Sequence, residues 1–305
     1  MRLGSAFVGI CLGWSACVGS ALAEAAACPN PNALGVSRTV EIDTTGGPGF
    51  GFDHYKVHDF LLLKEVVLTF DDGPQVGHTH AVLDALALHC TKATFFSIGK
   101  MALGLPEILR DVARRGHTVG THTWSHQDLS KMKEGEWKAE IEKGVSAVRR
   151  ALGGPVAPFF RFPYLRDSKE TLTHLAGRNI AIFSTDVDSF DFKFRNPDQL
   201  VKTVMDRLEK KGKGILLMHD IQPGTAKAVP HLLAELKAKG YKVVHMRPKF
   251  EATTLAEFDA AIEKDVKGLA LTPGSERPTA SVVRTIEDTP PVQPAAAKAP
   301  VPGKK

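Results

Sequence analysis

An α/β fold built from parallel strands is what this sequence predicts, and three observations carry it. From Glu65 onward, short apolar runs recur about every 30 residues. Amphipathic, helix-like stretches separate them. The alternation gives seven strand candidates, and strand–helix–strand alternation implies parallel strands joined by helical crossovers. Seven such units suit a barrel better than an open sheet.

The strand candidates run in this order: "EVVLTF" (Glu65–Phe70), "ATFFSI" (Ala93–Ile98), "HTVGTH" (His117–His122) and "FFRFP" (Phe159–Pro163). Then come "IAIFSTD" (Ile180–Asp186), "GILLMHD" (Gly214–Asp220) and "KVVHM" (Lys242–Met246). Between them lie amphipathic stretches such as His80–His89, Pro106–Gly116 and Glu136–Gly153. Residues 24–63 form an N-terminal arm, and "TTGGPGFGF" within it reads as a loop. A catalytic domain is expected over 64–250 and a terminal helix over 251–271. From Thr272 to Lys305 the chain is rich in Pro, Ala and Lys and reads as disordered.

The bulk composition agrees with one large domain or two small ones: 305 residues, 43% hydrophobic and 24% charged. The formal charge of +5 is spread along the chain, with no basic block interleaved with aromatics. Nucleic-acid binding is therefore not expected. Residues 1–23 carry one early Arg, an apolar stretch and an Ala-x-Ala site at Ala21 and Ala23, the pattern of an export signal. A membrane anchor ranks lower, because Gly and Ser interrupt the run. Export puts the chain in the periplasm or outside the cell, and cleavage removes Cys11 and Cys17 and leaves Cys28 and Cys90. A disulfide between that pair ranks first and two free thiols second. Lipidation of Cys28 ranks last, since "AAAC" lacks the Leu expected three residues earlier.

Polar signatures collect at the C-terminal ends of the strands, where parallel α/β folds place their sites. "TFDDGP" sets Asp71 and Asp72 at the tip of a buried strand. A surface turn explains Gly73-Pro74 but not two adjacent acids there. "THTWSH" spaces His122 and His126 four apart, which on a helical turn puts both rings on one face. Taken alone that spacing is more often incidental; beside an acidic strand end, Asp and two His form an ordinary set of ligands for a divalent metal. "RFPYL" ends a strand in Pro-Tyr. "DVDSFDF" holds three acids within six residues, and its first, Asp186, reads equally as part of a solvated loop. "LLMHD" delivers His219 to a strand end, where a lone His could equally be a satisfied core residue.

In this order, these five stretches resemble the motifs of the polysaccharide deacetylases, carbohydrate esterase family 4 with its NodB-homology domain. The resemblance covers roughly residues 64–246, with "TFDDGP" and "HTWSH" the most specific parts. It implies a distorted (β/α) barrel, often of seven units. By the same resemblance, Asp72, His122 and His126 hold one divalent ion, zinc first, with cobalt, manganese or nickel as alternatives. Asp71 resembles the general base. The resemblance also explains the paired acids: neighbours at a strand end splay, so one can bind metal while the other faces the attacking water. Arg161 resembles the arginine that holds the base ionised. Asp188 resembles the carboxylate that tunes the catalytic His, and His219 the general acid. The Tyr164 N–H would stabilise the oxyanion, and Phe192 and Leu217 would line the acetyl pocket.

Two departures bear on the substrate more than on the reaction: Leu165 replaces the usual Gly and Phe192 the usual Trp. The implied activity is removal of N-acetyl groups from a polysaccharide or oligosaccharide containing N-acetylglucosamine, such as a chitin oligomer, peptidoglycan or an exopolysaccharide. An O-acetyl esterase acting on xylan or another glycan shares the same site chemistry. A non-catalytic carbohydrate-binding protein on the same fold is disfavoured by the intact acid–base residues. No protein partner is expected.

Overall fold

The computed structural model describes residues 28–270. The export signal expected over 1–23 and the tail expected over 272–305 lie outside the described residues. Two short strands come first, β1 (Arg38–Ile42) and β2 (Gly49–Phe50). The repeating part opens with β3 (Glu65–Asp71), α1 (His78–Leu88), β4 (Thr94–Ser97), α2 (Gly99–Gly104), α3 (Pro106–Arg114), β5 (Thr118–Thr121) and α4 (Glu134–Leu152). It continues through β6 (Phe159–Phe160), α5 (Lys169–Gly177), β7 (Ala181–Phe183), β8 (Val187–Asp188), α6 (Pro197–Lys211), β9 (Gly214–His219) and α7 (Pro223–Ala238). The strand β10 (Lys242–Pro248) and the helix α8 (Ala256–Ala270) end the described chain.

Every expected strand forms, and every ladder is parallel. One edge of β3 pairs with β9 from Val66 to Asp71. Its other edge pairs with β10 at the start and with β4 at the end. The ring then runs through β5, β6 and β7. It closes through β8, which pairs with β9. The stretch read as one strand over Ile180–Asp186 is shorter than expected. Only Ala181–Phe183 lies against β6; the chain kinks through Ser184–Asp186, and a separate short strand, β8, follows and lies against β9. This break and the partial engagement of β10 are the distortion of the barrel.

Alternation along β3 sorts its side chains. Val66, Leu68 and Phe70 pack in the large apolar cluster. Val67 belongs to a second cluster with Phe96, Phe159, Phe183, Ile215 and Met246. On the same face as Val67 lie Thr69 and then Asp71, both within 2% exposure. That face therefore grades from apolar to charged towards the C-terminal ends of the strands.

The arm is more ordered than the sequence suggests. Within the expected loop, Gly49–Phe50 forms β2 against β7, and Phe50 stacks on Phe183 at 5.0 Å. Gly51 makes this approach possible: it has φ 97, and a Cβ there would stand 2.7 Å from the Ser184 carbonyl carbon. Asp186 staples the junction. It is buried rather than solvated, and its two oxygens accept the N–H groups of Phe52 (2.7 Å) and Ile215 (2.6 Å). The terminal helix forms as α8 and is tied to α4 by Lys143–Asp265 (2.7 Å) and Arg150–Glu263 (2.6 Å). Among the described residues, no helix is long and apolar enough to cross a membrane.

Cys28 and Cys90 form a disulfide with Cα atoms 5.9 Å apart, joining the start of the arm to the end of α1. The bond closes a loop with a sequence separation of 62 residues, which restricts the unfolded chain. Cys90→Ser should lower the unfolding free energy by about 2–4 kcal/mol in urea titration. Thiol titration of the denatured, unreduced chain starting at Glu24 should detect no free thiol; two reactive thiols would show that the bond does not form.

Candidate active site

The expected catalytic, metal and acetyl-pocket residues line one cavity of about 460 Å³ at the C-terminal ends of the strands, except Arg161, which is buried and bonded to Asp71. Asp71 and Asp72 come from the end of β3, His122 and His126 from the turn after β5, and Tyr164 and Leu165 from the turn after β6. Asp188 ends β8, while Leu217 and His219 lie on β9. Phe192 and Gln222 complete the walls used below.

The paired acids point in different directions. Asp71 keeps the strand alternation and turns towards Arg161, whose Nη1 donates to its Oδ1 at 2.7 Å. Its other oxygen, Oδ2, lies 4.0 Å from His122 Nε2. Asp72 sits at φ 75, a left-handed conformation that Asp tolerates better than most residues. This turn aims its Oδ1 at both imidazoles, 3.5 Å from His122 Nε2 and 3.4 Å from His126 Nε2.

These three residues fit a divalent cation. Asp72 Oδ1 is buried and accepts no hydrogen bond, an arrangement that needs an electropositive partner. His122 Nδ1–H donates to the Arg161 carbonyl at 2.7 Å, so its Nε2 lone pair faces Asp72. Burial pushes the His122 ring down to about 4, in its neutral, ligating form. Ligand atoms about 2.0–2.1 Å from a tetrahedral zinc stand about 3.4 Å apart, close to the separations seen.

Across the cavity, His219 Nε2 lies 4.0 Å from Asp72 Oδ2. Its Nδ1 bonds Asp191 Oδ1 at 2.7 Å, and its backbone N–H donates to Asp191 Oδ2 at 2.6 Å. Thr225 donates its hydroxyl to the same Oδ2 at 2.5 Å. Burial opposes a charged imidazole here, but the charge and hydrogen bond of Asp191, together with the charges of Asp72 and Asp71, outweigh it. The ring is pushed up to about 10.

The carboxylate bonded to His219 is therefore Asp191, and the expectation of Asp188 is corrected. Asp188 Oδ1 accepts the Phe190 N–H at 2.8 Å and stays in its own turn. Phe190 then takes φ 50, which swings the chain back and carries Asp191 beneath the end of β9. The signal was present in "DSFDF", but both acids lie in one short loop and spacing does not rank them. A second acid went unread at the end of "LLMHD". Asp220 is 1% exposed, packs against Gly73 and accepts the Thr79 hydroxyl at 2.5 Å. Burial, with Asp72 nearby, pushes it up to about 7.

The remaining residues form the rim. Tyr164 and Leu165 both take left-handed conformations, at φ 57 and 55. The Tyr164 ring is 61% exposed and meets the His126 ring edge-on at 4.9 Å. Phe192 is 47% exposed and lies edge-on to His219 at 6.1 Å, whereas Leu217 is buried.

Comparison with known proteins finds relatives in sequence and in fold. The polysaccharide deacetylase family model matches residues 63–180. A peptidoglycan-N-acetylglucosamine deacetylase of Bacillus cereus is 33% identical over 194 residues, covering 62% of this chain and 69% of that protein. A chitooligosaccharide deacetylase of a Bradyrhizobium species is 31% identical, covering 59% of this chain and 88% of that protein. Among solved structures, a peptidoglycan deacetylase of Bdellovibrio bacteriovorus superposes with a TM-score of 0.63 at 36% identity. That match covers 70% of this chain and 59% of the other, so it leaves more than a third of the Bdellovibrio protein unmatched.

The Asp191 pairing has a measurable consequence in metal-free protein. The ordinary imidazole value is 6.5 and the folded value about 10. The pair therefore stabilises the fold fully below about pH 6.5, and this contribution is lost as pH rises through about 10. Asp191→Asn should bring the His219 pKa well below 10 in a ring NMR titration, because burial then meets less opposition. Asp188→Asn should leave it nearly unchanged. An equal fall in both variants would return the role to Asp188.

Proposed function

The chain belongs to the polysaccharide deacetylase family and with it to the hydrolases that act on carbon–nitrogen bonds, and on that premise we propose that it removes N-acetyl groups from a polysaccharide containing N-acetylglucosamine. One observation carries the reading. Two proton-handling groups, Asp71 and His219, flank the Asp72–His122–His126 set, each with its own buried partner. A module that only binds sugar needs no such pair.

Asp72, His122 and His126 would hold the ion, with zinc suiting one carboxylate and two imidazoles and with cobalt, manganese or nickel compatible. When bound, a divalent ion supplies Lewis-acid stabilisation of the carbonyl oxygen and makes water a better nucleophile. Arg161 occupies one oxygen of Asp71 and leaves the other facing the ligand set, free to take a proton from the attacking water. As the new C–O bond forms, the Tyr164 N–H supports the developing oxyanion. Asp191 orients His219 through Nδ1, so that Nε2 gives its proton to the leaving nitrogen as the C–N bond breaks. Acetate and a free amine result. Leu217 and Phe192 form the apolar wall for the acetyl methyl.

The site could also cleave an acetyl ester, so substrate class is part of the test. Relatives named for peptidoglycan and chitooligosaccharides support an N-acetylated glycan. The proposed location is outside the cytoplasm, which the Cys28–Cys90 disulfide and the leader-like N-terminus support.

The test is metal content together with acetate release from peptidoglycan, chitin oligomers and acetylated xylan. Asp71→Asn should lower turnover by about 10²–10⁴-fold with metal still bound. The wild-type rate should be bell-shaped in pH, since one group must be deprotonated and the other protonated. His219→Ala should slow amide cleavage far more than cleavage of an aryl acetate, whose leaving group needs no proton. Equal losses on both substrates would remove the general-acid role.

A further inference from the structure

The two histidines of the ligand set are held by different means. His122 is fixed through its ring, by the hydrogen bond to the Arg161 carbonyl. The His126 ring makes no hydrogen bond among the described residues. Besides the 3.4 Å approach to Asp72 Oδ1, it has ring contacts, 5.0 Å from His122 and 4.9 Å from the largely exposed Tyr164. The position of its Nε2 must therefore come from its backbone.

That backbone is in a conformation that needs support. Thr123 and His126 both lie in the left-handed region, at φ 65 and 60, which L-residues occupy at a cost. The start of α2 supports the turn from one side: Gly99 and Lys100 donate their N–H groups to the carbonyls of Thr123 (2.9 Å) and Trp124 (3.0 Å). Thr123 Oγ1 accepts the His126 N–H at 2.9 Å. From the other side comes α4, and its support is concentrated in one residue. Glu140 accepts the Trp124 N–H with its carbonyl (2.8 Å), the Ser125 N–H with Oε2 (2.8 Å) and the Ser125 hydroxyl with Oε1 (2.7 Å). The close approach depends on Gly144, where a Cβ would stand 2.7 Å from the Thr123 carbonyl carbon.

Glu140 is only 8% exposed and has no cationic partner among the described residues. Burying a carboxylate without a counter-charge is unfavourable. What this one gains is a pair of charge-assisted hydrogen bonds to the residue immediately before His126. We infer that Glu140 is a positioning residue for the metal site: it fixes the turn that aims His126 at Asp72. The inference rests on the metal-site reading given above.

The test is zinc titration of the metal-free protein against a competing chelator, with the visible spectrum of the cobalt form as a second readout. Glu140→Gln keeps the size but removes the charge: its amide nitrogen cannot accept from the Ser125 hydroxyl, so the two charge-assisted bonds give way to one neutral bond and at most a reversed hydroxyl contact. It should weaken zinc binding by roughly 10–100-fold, the range typical for groups that orient a metal ligand, and alter the cobalt bands. Ser125→Ala removes one of the two bonds and should give a smaller loss in the same direction. Glu136→Gln, one turn away on the same helix, touches only the Lys133 N–H and should leave both readouts unchanged. Glu140→Gln with wild-type affinity and spectrum, losing only thermal stability, would overturn the inference. If that variant does not fold, wild-type affinity in Ser125→Ala overturns it instead. His126→Ala losing zinc while Glu140→Gln keeps it would leave the metal site standing and this inference refuted. A wild type that binds no zinc or cobalt would refute both.

Discussion

A single buried guanidinium organises this molecule. Arg161 has no exposed surface, yet a charge in such a place is tolerable only when its donors are matched. Four of the five are. Nε donates to the Phe183 carbonyl, Nη1 to Thr69 Oγ1 and Asp71 Oδ1, and Nη2 to the Ser184 carbonyl. Its Cζ lies 4.3 Å from the centroid of the Phe96 ring. The same residue's backbone carbonyl sets the tautomer of His122. One side chain and its carbonyl therefore fix both the orientation of Asp71 and the tautomer of a histidine in the turn after β5.

The distortion of the barrel follows from this requirement. Carbonyls committed to a regular ladder are poorly placed to accept from a side chain inside the ring. The kink at Ser184–Asp186 separates β7 from β8 and leaves the carbonyls of Phe183 and Ser184 free to meet Arg161. The kink needs anchoring of its own. Asp186 provides it below, and the arm provides it alongside, with β2 on the open edge of β7. A break that looks like a defect in the sheet is thus tied at one end to the site and at the other to the arm.

The strands of the ring were legible in the sequence because each is a buried apolar run, and burial on both faces leaves a composition signal. The strand-end acids and histidines were legible because polar residues at the tips of such runs stand out. What escaped was whatever depends on pairing across the chain. β2 is two residues long, and its partner β7 lies more than a hundred residues later. Asp191 and Asp188 differ only in which way a loop turns after Phe190. Glu140 sits on a helix whose charged residues look alike in sequence, and only the fold shows that it reaches the turn holding His126.

The departures from the family pattern are confined to one layer. Asp71, His122, Arg161 and Asp191 are at most 2% exposed, and the chemistry they support lies at or below the cavity floor. Tyr164 and Phe192 are 61% and 47% exposed and form the mouth with Leu165. Leu165 holds φ 55, a conformation that the usual Gly reaches without penalty and a leucine does not. Phe192 offers an apolar face beside His219 without the ring N–H that the usual Trp would bring. Buried groups are locked by their hydrogen-bond partners, whereas rim residues answer mainly to what docks on them. The buried groups can thus stay constant while the rim changes, and the strained leucine and the phenylalanine place this chain's individuality at the entrance of the cavity rather than at its floor.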